Sequence, residues 1–174
     1  MKKITAIIFV ALFTFGLLGH QAQASFLGGN SHVQLKHIMA PVMKKQGSFM
    51  TDIRPLTPVM TVPKADDVAF VCQRAPRAAE AILYYFQKNP APVLPNRRVD
   101  TKKLDKEFAK IAAYVNRSLG RNVVSEVFVV EGGGPNMAKG AASRLPFASI
   151  QGCSRVLKEY EQRMKEVLGE DKKK

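Results

Sequence analysis

Between Thr101 and Val130 the hydrophobic period of the sequence switches from that of a helix to that of a strand, and no other feature limits the fold as much. Leu104, Phe108, Ile111, Ala112, Val115 and Leu119 fall within about 100° of one another on a helix, the width of a core-facing stripe. Lys102, Lys103, Lys106, Glu107 and Lys110 fill the other side. Asp100 or Thr101 is a good N-cap, and Gly120 closes such a helix cheaply because glycine accepts positive φ. Val123 to Val130 follows, rich in β-branched and aromatic residues and bounded by Asn122 and Gly132-Gly133-Gly134, and reads as a central strand. A one-sided helix beside an apolar strand must bury both in one core.

The flanking segments supply partners for that core. Val33, Leu35 and Met39 share one parity and predict a half-buried strand from His32 to Met39, ended by Pro41. Ile53 to Val62 is extended, but Pro55 and Pro58 lack ladder donors and place it at an edge or in an irregular strand. Asp66 or Asp67 can cap a turn through Cys72, and Pro76 suits the first position of a helix carrying Ala79, Ile82, Leu83 and Phe86 at helical spacing. Asn89-Pro90 stops it. Residues 132–148 form a Gly/Ala/Ser-rich connector, and 149–170 form a last amphipathic helix. Its stripe of Ile150, Cys153, Val156, Leu157, Tyr160, Met164, Val167 and Leu168 occupies about 120° and predicts docking along one side. Residues 171–174 are a solvated tail. The expected fold is α/β of the α+β kind: one domain over 32–131, a small sheet packed by two amphipathic helices, with an appended C-terminal helix.

The N-terminus follows the plan of a secretory leader: Lys2 and Lys3, an apolar run from Ile4 to Leu18, then small residues ending in Ala22-Gln23-Ala24. Fifteen residues at about 1.5 Å each span roughly 22 Å, short of the ~30 Å hydrocarbon core of a bilayer. Cleavage is therefore expected before Ser25, with residues 1–24 removed, 25–31 left as a flexible leader, and the product periplasmic or secreted. The alternative is an uncleaved anchor. Cys72 and Cys153 then meet an oxidising compartment, where an intramolecular disulfide is the default.

The chain carries 27 basic and 14 acidic residues, and the leader takes two of the former and none of the latter, leaving the exported chain near +11. Such a field favours an anionic envelope component or an acidic protein partner. Nucleic acid is not expected outside the cytoplasm, and no aromatic-plus-basic signature interrupts the chain. Peripheral membrane contact and oligomer formation stay open.

Catalytic chemistry finds little to stand on. No G-x-S-x-G elbow presents a serine. His32 and His37, five residues apart on a strand, point to opposite faces. The glycines 132–134 follow a strand as a phosphate loop does, yet Lys139 is followed by Gly140 and the G-K-[ST] ending is absent, so they read as a linker and no cofactor is expected. His37, Met39, Met43, Met50 and Met60 lie within 24 residues. These are ligand types that suit Cu(I), but methionine is also common core filler, and no metal ligand set is assigned. The expectation is a non-catalytic interaction module.

From Val33 to Glu131 the order of motifs resembles the soluble domain of the FliL-like family of flagellar basal-body-associated proteins. Pro76, Arg77, Ile82 and Leu83 are similar to the segment that opens that family's first long helix. Asn116, Leu119 and Gly120 resemble its Asn-x-x-Leu-Gly stretch, and Val124, Val127 and Phe128 the strand that follows. Typical members keep a membrane anchor and lack an appended helix tied by a cysteine such as Cys153. The resemblance implies an α/β domain without catalysis, oligomerisation, and contact with motor or stator components.

Overall fold

A computed structural model describes residues 30–133 and 150–168 of the chain. The leader, with Ala22, Ala24 and Ser25, most of the connector and the tail lie outside the described residues. The spine of the sheet is β3 (Thr51–Val62). One edge of β3 pairs with β2 (Ile38–Met43) along its first half and β1 (Ser31–Gln34) along its second, both antiparallel. Its other edge pairs with β4 (Glu126–Glu131), also antiparallel, and β5 (Gln151–Gly152) adds a short parallel pairing to β1. The architecture is α+β.

The expected strand from His32 to Met39 is broken. Gln34 pairs with Val59 and Ile38 with Leu56, so four steps on one side match three on β3. That is a one-residue bulge, and it reverses which parity faces the core. Val33 and Leu35 are buried before it, Ala40 and Val42 after it, and Met39 turns outward. Pro41 does not end the strand either. It lies within β2, where its carbonyl accepts from Ala91 N at 3.0 Å on the side away from β3, so its missing donor costs no rung of the ladder.

The prolines of β3 do not confine it to an edge, because each faces a gap in its ladder. The Pro58 carbonyl accepts from Leu35 N at 3.0 Å, inside the bulge. That of Pro55 accepts from Gly132 N at 2.8 Å, just beyond the end of β4. Conversely, β4 is not central; it pairs only with β3 among the described residues. Val123 and Val124 are buried ahead of it without joining it.

Helix α1 (Asp66–Gln73) is capped by Ala65 and not by Asp66 or Asp67, whose carboxylates instead sit in the first turn, where the helix dipole favours them. Helix α2 (Ala75–Lys88) has Pro76 in its first turn and ends at Asn89. Its buried face is Ala78, Ala81, Ile82, Tyr85 and Phe86, about a quarter-turn from the expected stripe, with Ala79 and Leu83 at the margin. Tyr85 accounts for the rotation: its ring is buried while its hydroxyl donates to Glu107. The helix expected from Asp100 to Leu119 is two: α3 (Thr101–Asp105) and α4 (Phe108–Leu119). Between them Glu107 N bonds to Leu104 O at 2.8 Å, a tight i→i−3 turn. The stripe itself is buried as expected, including Leu104, Phe108, Ile111, Ala112, Val115 and Leu119. Asp100 is the cap, its carboxylate accepting from Lys103 N at 3.1 Å, and Gly120 closes α4 at φ 72°. Helices α2 and α4 pack on each other, with α2 over β2 and α4 over β4.

Helix α5 spans Cys153–Leu168 and rests on α1, with Cys72 and Cys153 joined in a disulfide. Its start falls later than Ser149 because Gln151 and Gly152 pair with β1. Docking does not extend along the stripe: Val156 is buried and Cys153 and Leu157 half-buried, whereas Tyr160, Met164, Val167 and Leu168 are exposed.

Candidate anion-binding face

Helices α2 and α4 run antiparallel, since the Ser118 hydroxyl donates to Arg77 O near the start of one and the end of the other, while Tyr85 and Tyr114 meet edge to face farther along. This places the basic residues of three helices on one surface. At one end the guanidiniums of Arg74 and Arg121 lie 4.1 and 4.5 Å from the centre of the Phe70 ring. At the other, Lys88 Nζ lies 4.4 Å from the Tyr84 ring, the Tyr84 and Tyr114 rings are 6.4 Å apart, and Arg117 lies 5.6 Å from Tyr114. Cations and aromatic rings therefore alternate across the face. The interaction with Tyr84 holds the Lys88 ammonium above its usual pKa.

Acidic residues do little to neutralise this surface. Asp67 pairs with Arg121 at 3.0 Å, and Glu80 stands one helical turn before Tyr84. Among the described residues, the guanidiniums of Arg74, Arg77 and Arg117 have no hydrogen-bond acceptor or carboxylate partner; Arg77 and Arg117 are exposed, and Arg74 is half-buried against Phe70. That geometry suits bidentate capture of carboxylate or phosphate, with the rings giving apolar contact between charged groups. Beside it an open groove of about 640 Å³ runs between α4 and the segment entering β4, floored by Ala109, Ala112 and Ala113 and bordered by Arg117 and Arg121.

Asn116 on that groove is fully committed to structure. Its Oδ1 accepts from Val123 N and Val124 N at 3.0 and 2.9 Å, and its Nδ2 donates to Val124 O and Asn122 Oδ1 at 2.7 and 2.8 Å. One side chain thus substitutes for a strand partner and holds the chain entering β4. No family model matches this chain, and no curated protein or solved structure matches it either.

The other residues singled out in the sequence are dispersed. Leu119, Val127 and Ile82 are core, Phe128 packs tilted against Phe108 with centroids 4.6 Å apart, and Arg77 alone of that set offers a charge to solvent. Of the soft ligand types, Met60 is buried in the core while Met39 and Met50 are exposed. His37 lies in the bulge against Gly133, where a Cβ would stand 2.9 Å from the imidazole. His32 Nδ1 is 3.1 Å from Thr61 Oγ1, and burial holds its pKa below the usual value. Gly132, at φ 119°, accepts the Thr57 hydroxyl at 2.7 Å and donates its N–H to Pro55 O at 2.8 Å, which ties this connector glycine to β3 just past the end of β4. Sequence reading missed the ring and cation face because its members, from Phe70 to Arg121, are adjacent only across helices. The visible signal was the set of i,i+4 pairs Phe70/Arg74, Tyr84/Lys88 and Arg117/Arg121.

Proposed function

We propose that this chain is a non-catalytic, exported interaction module whose face of Arg74, Arg77, Arg117 and Arg121, interleaved with Phe70, Tyr84 and Tyr114, docks on an anionic component of the cell envelope. The observation that carries the reading is that the guanidiniums of Arg74 and Arg117 lie beside aromatic rings without an acceptor among the described residues. The disulfide and the leader-like N-terminus support an oxidising, extracytoplasmic location. Rings alternating with cations fit a carboxylated or phosphorylated glycan, whose sugar faces stack while its acidic groups bind guanidinium. The test is titration with polygalacturonate against neutral dextran at several salt concentrations. Salt-sensitive binding of the acidic polymer alone, lost in Arg74→Ala/Arg117→Ala/Arg121→Ala, is expected; equal binding by that variant would refute the assignment.

A second reading takes the partner to be a protein of the flagellar motor. It is supported by Arg77, the one residue of the FliL-like motifs that offers a charge on this face. Its test is deletion of the gene: lost swimming with unimpaired growth supports it, and normal swimming removes it.

A further inference from the structure

The hairpin of β2 and β3 carries an apolar surface of which only Met43 packs against the core. Its register pairs Met39 with Pro55, Pro41 with Ile53 and Met43 with Thr51. Side chains alternate across a strand, so Met39, Pro41, Met43, Thr51, Ile53 and Pro55 share one face, and Ala40 and Val42 are buried on the other. Met39 is 52% exposed and Ile53 55%. The connecting loop adds Met50, 63% exposed, and Phe49, which is fully exposed at 104%. Phe49 and Met50 at the loop, with Ile53 and Met39 farther along the same face, are thus among the large apolar side chains most open to water.

The charges at the loop are basic. Lys44 and Lys45 begin the loop, and both are exposed. The one acid in the hairpin, Asp52, is paired with Arg54 at 3.4 Å. A second copy of the chain fits poorly, because a two-fold pairing of these tips would bring the lysines of both against one another. An exposed aromatic and methionine tip flanked by two lysines suits a bilayer with anionic headgroups: the apolar groups enter the acyl boundary and the ammonium groups meet phosphate.

We infer that the β2–β3 hairpin is a membrane-docking element that inserts Phe49 and Met50 into the surface of a bilayer containing anionic lipid, independently of the arginine face. The chain contains no tryptophan, so Phe49→Trp places a single reporter at the tip. The experiment is co-sedimentation of the mature chain with phosphatidylcholine vesicles, with and without phosphatidylglycerol, together with the indole emission of the Phe49→Trp variant. Binding to the phosphatidylglycerol vesicles with a blue-shifted emission is expected. Phe49→Ser should weaken it roughly tenfold or more, and each of Lys44→Gln and Lys45→Gln by about fivefold. Phe49→Ser should leave polygalacturonate binding unchanged, which separates failure here from failure of the arginine-face reading. Absence of binding to anionic vesicles, binding with unshifted emission, or binding unaffected by Phe49→Ser would each overturn the inference.

Discussion

Replacing Cys72 and Cys153 by alanine should release α5 while the rest of the fold persists. The disulfide joins residues 81 apart, and closing a loop of that length removes about 4.5 kcal/mol of unfolded-state entropy in the chain-entropy model. The contacts of α5 itself are few. Val156 is its one buried side chain, worth about 1.5–3 kcal/mol at most, and a helix of 16 residues is marginal alone in water. Holding α5 in place costs more than those contacts return, so without the bridge its undocked state is favoured. The global loss of stability should then fall below about 4.5 kcal/mol by the free energy that undocking recovers. Trypsin at low dose should cut the variant first at Arg155 and Lys158, circular dichroism should lose helical signal, and urea melts should still show a cooperative core. Protection of Arg155 and Lys158 in the variant, with the full entropic loss in stability, would show that α5 is held by its own packing and refute this reasoning.

Ile111→Ala and Phe108→Ala should each cost about 2–5 kcal/mol in urea unfolding, whereas Lys106→Ala and Lys110→Ala should shift it by less than about 0.5. Asn116→Ala leaves the buried amides of Val123 and Val124 unpaired and should cost about 2–4 kcal/mol in thermal melts, with Asn116→Asp, which keeps the acceptor, recovering part of it. The Tyr85 hydroxyl, and after it Lys110, holds the Glu107 carboxyl below its usual pKa of 4.5. Its contribution is present above that value and lost as pH falls through the lower folded value, so a Tyr85→Phe variant should be less stable than wild type at pH 7 and converge with it in strong acid.

The sequence revealed what local chemistry decides. The buried stripe of α4, its Gly120 closure and the Cys72–Cys153 pair follow from period, conformational preference and the count of two cysteines behind a leader-like N-terminus, and none needs knowledge of the neighbours. Failures concentrate where a neighbour sets the outcome. The parity change after Leu35 depends on an extra residue visible only when β1 and β2 are laid on β3. Pro55 and Pro58 argue against a central strand until one sees which edge each faces. Tyr85 turns α2 because Glu107, 22 residues away, receives its hydroxyl. The stripe of α5 is as regular over Tyr160 to Leu168 as over Cys153 to Leu157, yet only the first part meets α1. Periodicity reports that a face is apolar, not what lies against it.

The prolines of β3 also guard against misalignment. A slip of one residue along β3 would turn core side chains to water, so hydrophobic patterning already forbids it. A slip of two keeps every side chain on its proper face, and patterning is blind to it. Such a slip would move the bulge away from Pro58 and set a regular residue of β1 or β2 opposite a position with no N–H to give. Sliding β4 by two toward the start of β3 would do the same at Pro55. Each error leaves a carbonyl without its donor inside the sheet, at about 1–3 kcal/mol. The two residues that look least suited to the middle of a sheet thus fix its alignment during folding.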